Sequence, residues 1–218
     1  MSYWSKRACE TLLPLSNADA LKAALQEWFY TGSCSEFECC SETCELCGQD
    51  GLRYHFEIAN SENGNTLSVG SECIKRFEIR AIDHDGSKLS IAETAQLLDI
   101  DRRKLVEDAR KRRALEAIRQ LQEKMPEFIA ERALTKMSNS GSFSPLQAAF
   151  LLEKFDFFGI PFRFGDYKIS IRSSAEKDEL RDMSEHRLRL AWHALTPQQR
   201  KSIHNYREKV ELNGERWR

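Results

Sequence analysis

Apolar residues recur at three- and four-residue spacing along most of the chain, with strand-like patterning confined to short stretches. Leu21, Leu25, Trp28 and Phe29 share one face of a helix that starts after Asn17 and ends at Gly32. Residues 52–70 (LRYHFEIANSENGNTLSVG) read as two strands joined by an Asn/Gly-rich turn at residues 60–65. Residues 77–90 suggest a hairpin about Asp85-Gly86. From Ile91 to Lys124 the composition is helical, with Leu115, Ile118, Leu121 and Met125 as its apolar stripe. Pro126 opens a further helix through Phe128, Ile129, Leu134 and Met137. Ser144-Pro145 starts another, running to about Phe157. Residues 157–172 read as a break followed by strand material, and residues 174–212 as two or three helices. Thr196-Pro197 caps the last of them. The polar run SNSGSFS at residues 138–144 is the expected linker. The pattern predicts an α+β, predominantly helical fold, with regions at 1–90, 91–137 and 145–218.

Composition narrows the setting. Of the 218 residues, 41% are hydrophobic and 31% charged, a soluble globular balance. No apolar run is long enough to span a membrane, and the first twenty residues lack a signal core, so a cytoplasmic protein is expected. Clustered cysteines in that compartment are better read as metal ligands than as disulfides. The net charge of −1 hides an uneven distribution. Residues 34–73 carry eight acids and one base, whereas residues 101–124 carry nine bases and five acids. Phosphate-binding surface is therefore expected outside the cysteine segment.

The chain has seven cysteines, and five fall within residues 39–73. Cys44 and Cys47 form C-E-L-C-G, and Cys73 lies in V-G-S-E-C-I after the two strands. A two-residue gap lets both thiolates of a tight turn face one ion, and Gly48 suits the left-handed backbone such a turn needs. Ser71 is placed to cap a short helix whose first turn holds Cys73. Knuckle, hairpin and ligand-bearing helix form a treble-clef-like layout for one structural Zn2+. A full treble clef often takes two ligands from its helix, and this one offers only Cys73. The fourth ligand comes from the Cys39-Cys40 pair, with Cys40 preferred and His55 the alternative. A redox dithiol lacks its usual βαβ setting here.

The stretch from Trp28 to Phe77 resembles a group of uncharacterised zinc-binding proteins of bacteria, phages and plasmids. They share C-x-L-C-G, an aromatic-rich strand ending near Asn, and V-G-S-x-C-I. The resemblance implies metal binding at Cys44, Cys47 and Cys73, and a mobile-element or prokaryotic defence context. It supplies no activity and does not reach the remaining two-thirds of the chain.

Beyond the cysteines, basic residues gather on the long helical segment. Arg102, Arg103 and Lys104 precede a run of Arg110, Lys111, Arg112 and Arg113. Arg102, Arg103, Arg110 and Arg113 fall near one stripe by helical spacing. Residues 89–113 can be read as a helix-turn-helix with its turn near Asp99, or as one long basic helix packed on the zinc module. Either form makes DNA or RNA the expected partner, within a larger protein complex. A protein–protein adaptor or inhibitor subunit is the alternative, using the acidic module or the aromatic cluster from Phe150 to Tyr167. That cluster is otherwise core or a base-stacking platform. Asp83-His84-Asp85 has the D-H pair of HNH nucleases but not their second histidine, and is more simply a hairpin turn. No phosphate-binding loop or nucleophile elbow occurs, so a non-enzymatic protein is expected.

Overall fold

The computed structural model describes residues 2–37 and 40–203. The chain is α+β and mainly helical, and divides into two compact units, Met1–Glu107 and Asp108–Arg218. The division falls within a 34-residue helix, α4 (Ile91–Lys124). It falls neither at residue 90 nor in the polar run 138–144, which the second unit uses as structure. Helix α4 is unbroken at Asp99, so no helix-turn-helix forms: the stretch contains no glycine or proline to stop it.

The first unit opens with α1 (Tyr3–Leu12), capped by the Ser2 hydroxyl, which accepts from the Ser5 N–H. Ala8 and Leu12 are buried one turn apart on its inner face. Helix α2 (Leu21–Glu27) ends four residues earlier than the apolar spacing suggests, because Trp28 begins strand β1 (Trp28–Glu36). The aromatic and β-branched run Trp28, Phe29, Tyr30 and Thr31 fits a pleated surface better than a helix. It pairs antiparallel with β2 (Tyr54–Asn60), which pairs in turn with β3 (Thr66–Val69). After α3 (Ser71–Arg76), the two-residue strand β4 (Arg80–Ala81) joins the far edge of β1 in parallel. The sheet order is β3-β2-β1-β4. The hairpin expected over residues 77–90 is reduced to one bridge between Ile82 and Lys88, because β4 is taken up by β1. Trp28, Tyr30, Phe56, Ile58 and Ile74 form the core of this unit, with Leu98 of α4.

The Asn/Gly-rich turn is docked rather than loose. The side-chain amides of Asn60, Asn63 and Asn65 all donate to the Leu15 carbonyl, at 3.0–3.2 Å. Glu27 ties the same corner from the other side. Its carboxylate accepts the Asn17 and Ala18 N–H groups at 2.9 and 2.7 Å and the Asn60 amide at 2.8 Å. Asn17 therefore serves as a donor to Glu27, and the N-cap position of α2 is Ala20.

The second unit builds on the latter part of α4, then α5 (Ala130–Asn139), β5 (Ser142–Phe143) and α6 (Pro145–Phe158). Strand β6 (Lys168–Ile169) pairs parallel with β5, followed by α7 (Ser174–Asp182), α8 (Glu185–Ala194) and α9 (Pro197–Ser202). Reciprocal capping boxes start α6, α7 and α9, at Ser144/Gln147, Ser173/Glu176 and Thr196/Gln199. Helix α6 ends on Gly159 in the left-handed conformation. Its Leu151, Leu152 and Phe155 pack with Ile118, Leu121, Met137 and Tyr167. The helical reading beyond residue 203 lies outside the described residues. No described helix is long and apolar enough to cross a membrane.

The hydrogen bond from Asn60, followed by those from Asn17 and Ala18, holds the Glu27 carboxyl below its ordinary pKa of 4.5. A depressed carboxyl stabilises the fold above its unfolded pKa, and that contribution is lost as pH falls through the folded value. Glu27→Gln should therefore lower stability at neutral pH and flatten its decline on acidification. Urea denaturation of both proteins across pH 7 to about pH 3 measures this; parallel acid profiles would contradict it.

Candidate metal centre

The tight turn carrying Cys44 and Cys47 is closed by backbone hydrogen bonds. The Gly48 N–H donates to the Cys44 carbonyl at 2.8 Å, and the Cys44 N–H to the Gln49 carbonyl at 2.9 Å. The Glu45 N–H reaches the Ser68 carbonyl at 3.0 Å, fastening the turn to β3. Leu46, between the two cysteines, is fully buried and anchors the turn in the core. Gly48 has φ +73°, and a Cβ there would press to 3.1 Å from the Arg7 guanidinium. Glycine thus meets the backbone requirement at that position, the close contact being with the end of an exposed, flexible side chain.

Cys73 enters from the first turn of α3, which follows β3 directly. The turn and the helix bring Cys44, Cys47 and Cys73 together, each at most 3% exposed. Their sulfur atoms all lie within 4.8 Å of one another, and those of Cys44 and Cys73 are 3.6 Å apart. Such a group could hold a metal ion. Hydrogen bonding with Cys73, aided by the Gly70 N–H at 3.4 Å, brings the Cys44 thiol down to about 5 against the effect of burial. Its hydrogen bond to Cys44 together with burial pushes the Cys73 thiol up. Protons alone thus favour a single thiolate in the group, whereas a dication would favour all three.

A cavity of about 330 Å³ opens beside these sulfurs. Its walls include the aromatic residues Trp4, Tyr54 and Phe56 and the cationic residues Arg53, Arg76 and Arg102, with Glu72 and Gln49 among the remaining polar groups. Arg76 stacks over the Trp4 ring at 4.6 Å. Arg53 is paired with Glu36 and Arg102 with Asp99, both at the surface. The cysteine segment is acidic by count, yet arginines from three elements converge beside the cysteines themselves. Helix α1, which supplies Trp4, was missing from the sequence-based reading, as was the cavity.

The expected fourth ligand is not part of the group. Cys40 is exposed and sits in left-handed backbone at φ +46°, and Cys39 lies outside the described residues. Strand alternation turns His55 away: Tyr54 and Phe56 line the cavity, while the His55 ring meets Phe37 edge-on at 5.1 Å. Cys9 and Cys34 are half-buried and outside the group. His84 and Asp85 are exposed in the turn before Lys88, where the Asp83 carboxylate accepts the Asp85 and Ser87 N–H groups.

The basic residues of α4 separate into two kinds. Arg102, Arg103, Lys104 and Arg112 are exposed, and Lys111 is half-buried with its Nζ on the Ser138 carbonyl. Arg110 is 5% exposed and donates to the carbonyls of Gly141, at 2.9 Å, and Asp166. Arg113 grips the buried Asp166 carboxylate with two hydrogen bonds, at 2.8 and 2.9 Å. Arg110 and Arg113 therefore organise the inside of the second unit instead of offering charge to a phosphate. In the buried stripe Ala114, Ala117, Ile118 and Leu121, Arg110 lies one turn before Ala114 and Arg113 one turn before Ala117. In the aromatic cluster, Phe155 and Tyr167 are buried and Phe157 is exposed, so most of it is core.

Comparison of the chain with family models, curated proteins and solved structures gives no match.

Cys44→Ser, Cys47→Ser and Cys73→Ser should each strip bound metal from the purified protein and destabilise it by about 2–5 kcal/mol. Cys9→Ser should retain the metal. Elemental analysis with thermal melting reads both quantities. Arg110→Met should cost about 2–4 kcal/mol in urea denaturation, by leaving buried carbonyls unpaired. Arg112→Met should stay within about 0.5 kcal/mol of the parent.

Proposed function

We propose that the protein is a zinc-stabilised, non-enzymatic nucleic-acid-binding protein, in which Zn2+ holds the first unit together and the adjoining cavity receives a nucleotide. Zinc suits the donor set. Thiolates about 2.3 Å from a tetrahedral ion lie about 3.8 Å from one another, close to the 3.6 Å between the Cys44 and Cys73 sulfurs. Cys44, Cys47 and Cys73 would supply three of its four ligands, with the fourth from the Cys39-Cys40 segment. Turn, strand pair and helix make this a treble-clef-like module. The ion would supply a structural cross-link and no chemistry on a substrate.

The observation that carries the nucleic-acid reading is the joint presence of aromatic and guanidinium groups in one cavity. A base can stack against Trp4 or Tyr54, and the adjacent phosphate can bind Arg76 and Arg102. Both groups lie in the first unit, and exposed Arg103 and Lys104 extend the positive surface beside Arg102. Unpaired bases are the favoured target, because stacked duplex bases offer no free face to an aromatic wall. The resemblance of Trp28 to Phe77 to zinc-binding proteins of bacteria, phages and plasmids supports a role inside a mobile-element or defence complex.

Fluorescence anisotropy with labelled single-stranded DNA and RNA of about ten nucleotides tests the proposal. Binding should quench tryptophan emission and exceed binding to a duplex of the same sequence. About three phosphate contacts should weaken it roughly tenfold or more between about 50 mM and 200 mM salt. The double variant Arg76→Glu/Arg102→Glu should lose most of the affinity while keeping its metal. Equal affinity in parent and variant would overturn this reading.

A further inference from the structure

A second cavity, of about 380 Å³, lies wholly within the second unit and is far less polar. Its walls come from two helical stripes. Ile129, Arg132, Ala133 and Lys136, at the start of α5 and along it, recur at i, i+3, i+4 and i+7. Leu146, Gln147, Phe150 and Leu151 cover the first two turns of α6. Phe128 and Phe143 contribute to the apolar lining. Each stripe spans about two helical turns, or about 10 Å.

Two features identify what fits. Ile129 is 74% exposed and Leu146 43%, so large aliphatic side chains border the opening in contact with water. A small molecule within the cavity would cover only the sides of these two that line it, whereas a helix laid along the groove would also bury their exposed faces. The charged groups lining the cavity are all cationic: Arg132, Lys136 and Arg187. Two carboxylates, one on α6 and one on α7, are already engaged. Glu153 pairs with Arg187 at 2.8 Å, and Glu179 accepts the Leu146 N–H at 3.0 Å. Arg132 is exposed and has no partner among the described residues.

We infer that this groove is a docking site for an amphipathic helix of a partner protein, bearing two large apolar residues one turn apart and flanked by Asp or Glu. The apolar pair enters between Phe128, Phe143 and Phe150, and the carboxylates meet Arg132 and Lys136. Apolar contacts supply most of the affinity, and the cations select against basic helices. The inference uses a different unit from the proposed nucleotide cavity and does not depend on it.

Selection of a displayed helical-peptide library on the full-length protein tests the inference. Enriched sequences should carry two of Leu, Ile, Met, Phe or Trp at i and i+3 or i+4, with adjacent acids. Their synthetic peptides should bind in anisotropy measurements and lose about tenfold or more in affinity with Arg132→Glu or Ile129→Asp. Both residues are exposed at the start of α5, where an acid favours the helix, so neither variant should lower the melting temperature. A basic or pattern-free consensus would overturn the inference. So would peptides that bind both variants as tightly as the parent. Dodecanoate saturating the cavity, with no selected peptide binding there, would assign the groove to a small amphiphile instead.

Discussion

Three sulfur atoms buried within 4.8 Å of one another are the feature on which the proposed zinc site is built. They come from two short segments, a tight turn at residues 44–48 and a six-residue helix. Thiols packed this closely resist ionising together, since each new thiolate meets the charge of the last. A bound dication would reverse that balance, and its binding energy would become folding energy because the unfolded chain has no preformed site. The backbone is already arranged for that outcome. The turn is hydrogen-bonded to β3, α3 follows β3 without a linker, and Leu46 fills the core between the two turn cysteines.

This arrangement also explains how an acidic segment can lie beside a positive cavity. Among the described acids of residues 34–73, Glu36 pairs with Arg53 and Glu72 with Lys75. The arginines arrive from separate elements: Arg53 next to β2, Arg76 at the end of α3 and Arg102 on α4. Linear charge counts therefore missed a convergence that only the fold creates. In the second unit the reverse holds. A dense basic run, Arg110 to Arg113, looks like a phosphate-binding face, yet two of its four members are spent on Asp166 and Gly141.

What could be read from the chain followed the range of the interaction. The strand pair 54–60 and 66–69, the caps at Ser144 and Thr196, and the trio Cys44, Cys47 and Cys73 rest on local spacing, and all were legible. Helix α1 was overlooked, although Trp4, Ala8 and Leu12 recur one turn apart. The early end of α2 depended on competition between helix and sheet for Trp28, which pairing with Asn60 decides. Extending the apolar stripe of α4 back one turn would have placed Arg110 inside, because it shares a face with Ala114, Ile118 and Leu121. The fourth ligand had no such signal: neither spacing nor periodicity distinguishes Cys39, Cys40 and His55, and only the facing of β2 removes His55.

The proposed zinc site stands on the metal's identity and its sulfur shell. X-ray absorption at the zinc edge of the purified, reduced full-length protein measures both. Stoichiometric zinc is expected, with four ligands, at least three of them sulfur at about 2.3 Å. A shell of nitrogen and oxygen alone, or folded protein that holds no zinc, would contradict it.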